Sequence, residues 1–162
     1  MTISVGATLP DAQLQVMGAN GPESVSLAAK LAGRNVVIFG LPGAYTGTCT
    51  SAHVPSFIRT QDKLAAKGVD EVICLSVNDA FVMKAWGDST GATSAGITML
   101  GDVDSAFTKA IGMNFTVPPI GFFVRSKRYA LYAVDGVVKV LTAEEHAGQC
   151  DISGGESMLA PI

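Results

Sequence analysis

The 162-residue sequence predicts an α/β domain in which helices flank a mixed central β-sheet. Short runs of apolar, largely β-branched residues alternate with helix-length segments, and this alternation predicts parallel strands. Nearer the C-terminus, Asp135-Gly136 separates two further apolar runs, which is typical of an antiparallel hairpin. Because no linker, internal repeat or low-complexity tract interrupts the chain, residues 1–162 are expected to form one domain.

The first predicted strand and helix occupy residues 36–39 and 50–67. The strand is short and apolar, as expected for a buried parallel strand. Pro55 lies in the first turns of the helix, where proline is tolerated, and Gly68 is a candidate C-cap. The apolar residues of this segment recur at the spacing of one helix face: Val54, Phe57, Ile58, Leu64 and Ala65.

Two further strand–helix pairs follow. Residues 72–77 form the next apolar run, and Asn78-Asp79 is typical of the N-cap of a helix that continues through Trp86. Residues 97–100 predict a third strand, and residues 104–112 predict the helix after it. The order β-α-β-α-β-α is expected to give three parallel strands.

The C-terminal part of the chain predicts a hairpin and a last helix. Residues 129–134 and 137–141 are the hairpin strands, because Asp-Gly readily adopts the positive φ angles of a type I′ turn. The last helix is predicted over residues 153–159. A thioredoxin-like fold is one arrangement that combines parallel strands with a late hairpin in this order.

Composition narrows the class of function. The formal net charge of −3 and the absence of any Lys or Arg run argue against a nucleic-acid-binding protein. The apolar runs are too short to span a bilayer, and the N-terminal residues resemble neither a secretory signal nor a transit peptide. Three cysteines without a CxxC pair, and two distant histidines, predict neither a disulfide scaffold nor a metal site. We therefore expect a cytoplasmic protein with a working thiol.

Cys49 is the candidate nucleophile. It follows the first predicted strand and the Pro42-Gly43 turn, and it lies among hydroxyl residues that can cap a helix. The start of a helix offers unpaired backbone N–H groups and the positive end of the helix dipole, and both favour a thiolate. The competing interpretation is a small buried hydrophobic side chain. The context favours a reactive cysteine.

Several nearby residues are candidates to assist Cys49. The Thr46 hydroxyl is close enough in sequence to reach the sulfur or a substrate oxygen, and Pro42 can fix the turn and shield the thiolate from water. The alternatives are an ordinary turn or cap threonine and an ordinary turn proline. Three basic residues precede the hairpin, namely Arg125, Lys127 and Arg128. Each could be an ordinary surface charge. Arg128 directly abuts a predicted strand and is therefore the best candidate to be held rigidly near Cys49.

The remaining cysteines and one histidine have less certain roles. Cys74 lies inside a predicted strand, which favours a buried core thiol, whereas Cys150 lies in a polar stretch and is expected to be more accessible. Either could resolve an oxidised Cys49 only if the two sulfurs can approach to bonding distance. His53 is one helical turn beyond Cys49 and could form a hydrogen bond there. A Cys-His protease dyad is a weak interpretation, because the sequence identifies no Asn or Asp to orient the histidine.

The sequence resembles the type II, or peroxiredoxin-5-like, branch of the peroxiredoxins over nearly its whole length. The motif Pro42-x-x-x-Thr46-x-x-Cys49 matches the active-site motif of that family. The other matching segments are residues 40–49, His53-Val54-Pro55, residues 74–86 and Arg128-Tyr129-Ala130. Two positions depart from the branch's usual pattern, with Gly47 in place of proline and Tyr45 in place of phenylalanine.

The resemblance implies a thioredoxin-fold thiol peroxidase that needs no metal or organic cofactor. It implies that Cys49 attacks hydrogen peroxide or an alkyl hydroperoxide and becomes a sulfenic acid. It further implies that Thr46 orients the peroxide, Arg128 stabilises the charge and Pro42 limits solvent access.

The resemblance also bears on regeneration and assembly. Cys74 matches the second cysteine of plant-like members, and Cys150 falls near the resolving cysteine of animal members. We expect glutaredoxin with glutathione, or thioredoxin, to reduce Cys49, with an intramolecular disulfide as the alternative, and we expect a homodimer. Two other classes of function stay open, a thioredoxin-like thiol oxidoreductase, which the missing CxxC disfavours, and a non-catalytic binding module, in which Cys49 would not react with peroxide.

Overall fold

The computed structural model describes residues 2–162 and contains a seven-stranded mixed sheet with helices on both faces. The strands are β1 Gln13–Gly18, β2 Gly21–Ser26, β3 Asn35–Gly40, β4 Glu71–Ser76, β5 Thr98–Gly101, β6 Asn114–Val117, β7 Phe122–Ser126, β8 Tyr129–Val134 and β9 Val137–Ala143. The helices are α1 Leu27–Leu31, α2 Val54–Ala66, α3 Ala80–Thr90, α4 Ala106–Ala110 and α5 Gly155–Leu159. A π-helix, Cys49–His53, directly precedes α2, and a 3-10 turn, Pro118–Ile120, lies between β6 and β7.

The strand order of the main sheet is β2-β1-β5-β4-β3-β8-β9. Strands β3, β4 and β5 are parallel, while β8 pairs antiparallel with β3 and forms a hairpin with β9. Asp135 and Gly136 turn this hairpin with φ angles of 49° and 77°, as a type I′ turn requires. The predicted parallel centre and late hairpin are therefore confirmed, as is the mixed α/β thioredoxin-like fold.

The two faces of β3 build two separate parts of the core. Val37 and Phe39 pack with buried side chains of α2, α3 and α5. Val36 and Ile38 point to the other face and pack with buried side chains of α1 and α4. Because side chains alternate along a strand, a strand covered on both faces is apolar at nearly every position, which explains its unbroken apolar sequence.

Two hairpins were not predicted from the sequence. The β1–β2 hairpin lies at one edge of the sheet, and most of its side chains are exposed or half-buried. The small β6–β7 hairpin lies outside the main sheet, and its side chains are also mostly exposed or half-buried. Strands with little burial carry no clear apolar pattern, so periodicity does not reveal them.

The ends of several predicted helices were wrong. The segment predicted as one helix from residue 50 begins as the π-helix, and the regular α-helix starts at Val54. The second helix continues through Trp86 as predicted and ends at Thr90, where Gly91 caps it in the left-handed conformation. Helix α4 is shorter than predicted, because Ser105 before it has a positive φ, and α5 starts two residues later than predicted. Within residues 2–162, no helix has the length and apolar character needed to cross a membrane.

Candidate active site

Cys49 lies where the chain leaves β3 and enters the π-helix. After β3 ends at Gly40, a turn through Pro42 carries the chain to Tyr45, whose φ of 64° is in the left-handed region. Cys49 is the first residue of the π-helix, and its side chain is 0% exposed. The predicted position of the thiol, at the start of a helix after a buried strand, is therefore what the structure shows, although the first turn is π-helical.

Arg128 reaches the same point from the neighbouring strand. Strand β8 pairs antiparallel with β3 so that Tyr129 faces Gly40, and this register places Arg128 beside the end of β3. Arg128 is only 1% exposed, and its Nη2 donates a hydrogen bond to Cys49 Sγ at 3.2 Å. A buried guanidinium that donates to sulfur stabilises negative charge there.

The other hydrogen bonds of Arg128 fix the plane of its guanidinium. Nε and Nη2 both donate to the Ala147 carbonyl, at 3.1 Å and 2.8 Å. Nη1 lies 3.0 Å from His53 Nδ1. A guanidinium has no acceptor atom, so Nη1 is the donor and His53 Nδ1 accepts. Ala147 and His53 thus hold the guanidinium while Nη2 faces the sulfur.

His53 is a neutral imidazole at this site. Its Nε2 lies 2.9 Å from the Ser153 carbonyl, which can only accept, so Nε2 carries the ring proton and Nδ1 is free to accept from Arg128. Burial, together with the neighbouring Arg128 charge, lowers the pKa of His53 from 6.5 to about 3. The hydrogen bond predicted for His53 is present, and its partner is Arg128.

Pro42 and Thr46 line the approach to Cys49. The Pro42 carbonyl accepts a hydrogen bond from Arg125 Nη1 at 3.1 Å, so Arg125 is not a solvated surface charge as the sequence had suggested. Lys127 is exposed, as expected. The Thr46 hydroxyl donates to the Gly43 carbonyl at 2.7 Å. Its proton is used there, and its oxygen can still accept a hydrogen bond from a substrate.

A cavity of about 270 Å³ opens at this point. Its walls are Pro42, Thr46, Gly47, Thr48, Ile120, Phe122, Arg128, Ala147 and Gly148. A larger cavity of about 470 Å³ lies between the β1–β2 hairpin and the start of α3, away from Cys49 and Arg128. The smaller cavity is the candidate active site, because its wall contains Arg128, which donates a hydrogen bond to Cys49 Sγ.

The other two cysteines lie elsewhere in the fold. Cys74 is fully buried in β4, between Phe39 and Met99 of the adjacent strands, and burial raises its pKa. Cys150 is half-buried in the loop before α5, and burial raises its pKa too. The relative accessibility predicted for these two thiols is thus observed, and all three cysteines are free. Within residues 2–162, no three His, Cys, Asp or Glu side chains cluster so that they could hold a metal ion.

Sequence reasoning missed the loop that completes the site. Glu144, Ala147 and Ser153 belong to residues 144–153, between β9 and α5, and two of their backbone carbonyls accept the hydrogen bonds described above. A backbone carbonyl leaves no signal in the residue types. A buried Glu144 could not be told from an ordinary surface acid in this polar stretch.

Comparisons with known proteins agree with this geometry. Residues 4–159 match the Redoxin family. The chain is 48% identical over 165 residues to "Peroxiredoxin-2E-2, chloroplastic" of Oryza sativa, covering 99% of this chain and 73% of that protein. It is 44% identical to "Peroxiredoxin-2C" of the same organism, covering 99% and 98%. The crystal structure of reduced Prx3 in complex with H₂O₂ from Vibrio vulnificus superposes with a TM-score of 0.91 at 42% identity, covering 98% of each chain.

Proposed function

Because the chain belongs to the Redoxin family and is a thiol-dependent peroxidase of the peroxiredoxin type, we propose that Cys49 is the thiol that reduces the peroxide. The observation that carries this assignment is the hydrogen bond of 3.2 Å from Arg128 Nη2 to Cys49 Sγ beside an open cavity. A buried cation beside the sulfur favours the thiolate, which is the nucleophilic form of cysteine.

The reaction is a two-electron displacement at oxygen. The Cys49 thiolate attacks one oxygen of the hydroperoxide, an S–O bond forms and the O–O bond breaks. The sulfur is oxidised to a sulfenic acid, and the other oxygen leaves as water or an alcohol after it takes up a proton. Hydrogen peroxide and alkyl hydroperoxides react by the same displacement.

The surrounding residues stabilise the charge that moves during this step. Arg128 Nη2 faces the sulfur, and it is fixed before the substrate arrives, so no reorganisation is needed during the reaction. The Thr46 hydroxyl donates its proton in a hydrogen bond to the Gly43 carbonyl, so its oxygen can accept a hydrogen bond from the hydroperoxide O–H and orient the substrate. Pro42 is buried beside the cavity and limits the access of water.

We propose that an external thiol regenerates Cys49. The first thiol attacks the sulfenic acid to give a mixed disulfide and water, and a second thiol releases Cys49 and leaves as the disulfide. The burial of Cys74 in β4 and the half-buried position of Cys150 support this route over an intramolecular disulfide. Glutaredoxin with glutathione, or thioredoxin, is the proposed reductant.

We also propose a cytoplasmic homodimer that packs through the active-site end of each subunit. Large apolar side chains lie exposed at and near the cavity mouth, with Tyr45 57%, Ile120 63% and Phe123 61% exposed. Their burial between two copies would be favourable. Sedimentation analysis of the wild-type chain and of Phe123→Glu tests this proposal, and a wild-type monomer would contradict it.

The decisive experiment for the peroxidase assignment is Cys49→Ser. The variant should lose reduction of hydrogen peroxide, whereas Cys74→Ser and Cys150→Ser should still complete the first oxidation step. Peroxidase activity at the wild-type rate in Cys49→Ser would contradict the assignment.

Mass spectrometry of peroxide-treated protein tests the route of regeneration. After addition of glutathione, a glutathione adduct on Cys49 is expected. A Cys49–Cys74 or Cys49–Cys150 disulfide would contradict regeneration by an external thiol. Turnover with glutaredoxin and glutathione, compared with turnover on thioredoxin, then identifies the reductant.

A further inference from the structure

The loop of residues 144–153, hereafter the Glu144 loop, contacts three residues of the active site through its backbone. The Ala147 carbonyl accepts two hydrogen bonds from Arg128, at 3.1 Å and 2.8 Å. The Gly148 carbonyl accepts from the Thr48 hydroxyl at 2.9 Å. The Ser153 carbonyl accepts from His53 Nε2 at 2.9 Å. The conformation of this loop therefore decides where these acceptors lie.

The Glu144 carboxylate closes the loop on itself. Its Oε1 accepts hydrogen bonds from three consecutive backbone N–H groups, those of Asp151, Ile152 and Ser153, at 2.7, 2.7 and 2.9 Å. The Ser153 hydroxyl donates to the same oxygen at 2.8 Å. Consecutive N–H groups that converge on an anion form a nest, which is a strong site for a carboxylate. Burial alone would raise the pKa of Glu144, but these hydrogen bonds lower it, so the group is ionised at neutral pH.

The beginning of the loop is anchored to Arg128 itself. The Glu144 backbone N–H donates to the Arg128 carbonyl at 2.9 Å. Glu144 thus binds the backbone of Arg128 through its own N–H and binds the far end of the loop, at Ser153, through its carboxylate. Both ends of the loop are fixed relative to Arg128.

Apart from the bond to sulfur, every hydrogen bond described for the Arg128 guanidinium depends on this loop. Two go to Ala147 directly. The third goes to His53, whose ring is in turn held by the Ser153 carbonyl. A guanidinium donates in a planar fork, so fixing the other N–H directions fixes the direction of Nη2 towards the sulfur.

We propose that Glu144 is a positioning residue for the peroxidase reaction: it holds the Ala147 and Ser153 carbonyls where they aim Arg128 Nη2 at Cys49 Sγ. Glu144 does not touch the reacting atoms and acts through Arg128. This inference rests on the proposed roles of Cys49 and Arg128.

The first test compares three variants of the full chain, Glu144→Ala, Glu144→Gln and Glu145→Ala. Glu144→Ala should lower the second-order rate constant of Cys49 oxidation by hydrogen peroxide by about 10- to 100-fold, because a small displacement of a charge-stabilising group has an effect of this size. Glu144→Gln keeps an acceptor oxygen but loses the charge, so its rate should lie between those of wild type and Glu144→Ala. Glu145→Ala is the matched control, since Glu145 is exposed, and its rate should equal that of wild type.

A second readout separates positioning from general loss of structure. The alkylation profile, that is, the rate of Cys49 alkylation by iodoacetamide as a function of pH, should shift to higher pH in Glu144→Ala. Mass spectrometry of the Cys49 peptide measures this rate. Circular dichroism and thermal melting show that each variant is folded at the assay temperature. If Glu144→Ala does not fold, Glu144→Gln and Ser153→Ala, which removes only the hydroxyl bond, give the same readouts with smaller expected shifts.

A double-mutant cycle tests whether Glu144 acts through Arg128. In an Arg128→Ala background, Glu144→Ala should change the rate by less than about threefold, because the residue that it positions is gone. An unchanged rate and unchanged alkylation profile in Glu144→Ala would overturn the proposal. The proposal would also be overturned if Glu144→Ala lowered the rate as many-fold in the Arg128→Ala background as in the wild-type background. Cys49→Ser tests the role of Cys49 separately, so the proposal for Glu144 can fail while the assignment of Cys49 stands.

Discussion

Cys49 and Cys74 are two fully buried thiols in the same apolar cluster, yet their surroundings differ. Cys74 lies inside β4, between neighbouring strands, and burial raises its pKa well above the usual value. Cys49 lies at the start of the π-helix and accepts a hydrogen bond from Arg128. Burial by itself keeps a thiol protonated, whereas a fixed cation that faces the sulfur favours the thiolate.

The middle of β4, where Cys74 lies, and the carboxyl end of β3, near Cys49, differ in which groups can reach them. The middle of β4 supplies only packing, since its neighbours on both sides belong to the sheet. The carboxyl end of β3 is where the backbone leaves the sheet, and a helix start, an antiparallel strand and the Glu144 loop converge there. We therefore expect the chemistry at the end of the strand, because polar groups from several elements can reach that point.

Removal of Arg128 should have the largest effect, because it makes the surroundings of Cys49 resemble those of Cys74. Arg128→Ala should lower the second-order rate constant with hydrogen peroxide by about 10²–10³-fold, the usual effect of losing one preorganised donor. Arg128→Lys should restore only part of the rate, because one ammonium cannot reproduce the planar fork that holds Ala147, His53 and the sulfur together. Stopped-flow measurement of peroxide consumption gives the rate constants.

Arg125→Ala is the control for this experiment. Arg125 is half-buried and donates to the Pro42 carbonyl rather than to the sulfur, so its loss should have a smaller effect. If Arg128→Ala keeps the wild-type rate while Arg125→Ala abolishes it, the assignment of the two arginines is wrong.

His53 gives the active-site end of the sheet a pH-dependent stability. Its pKa is about 3 in the folded protein and 6.5 ordinarily, so below pH 6.5 the unfolded chain binds a proton that the folded chain does not. The free energy of unfolding should therefore fall as the pH drops from 6.5 towards 3, by at most about 1.4 kcal/mol per pH unit, and stay level above 6.5. Urea unfolding between pH 7 and pH 5 measures this slope.

His53→Gln tests the origin of that slope. The variant should be less stable than wild type at pH 7, but its stability should change much less between pH 7 and pH 5. His146→Gln is the matched control, because His146 is exposed, and it should retain the wild-type slope. A wild-type slope in His53→Gln would contradict the assignment of a buried neutral imidazole.

Cys74→Ala should have the smallest effect, and it should be on stability. The substitution leaves a small cavity in β4, and we expect the free energy of unfolding to fall by about 1 kcal/mol. The first oxidation of Cys49 by peroxide should keep its wild-type rate, since Cys74 does not face the cavity lining. Denaturant unfolding and single-turnover kinetics measure the two quantities, and a tenfold slower oxidation would show that Cys74 supports the reaction directly.

Much of the fold was predictable because strongly buried elements leave clear sequence patterns. The parallel strands β3, β4 and β5 are continuous apolar runs, and Asp135-Gly136 predicts its turn directly. The edge hairpin β1–β2 and the β6–β7 hairpin carry no such pattern, because most of their side chains are exposed or half-buried. The roles of Cys49, Thr46, Arg128 and Pro42 stay predictions until the variants are measured.

The sequence by itself determined which residues could do the chemistry. A cysteine after a buried strand and a Pro-Gly turn predicts a thiol at a helix start, and the position of Arg128 before a strand predicts a rigid cation. Only the tertiary structure decided that these two meet at 3.2 Å and that the Glu144 loop and His53 hold the guanidinium in place. The physical reason is that short-range patterns encode local conformation. Strand register and loop closure bring together residues that are about 75 to 100 positions apart, and backbone carbonyls that any residue could supply complete the site.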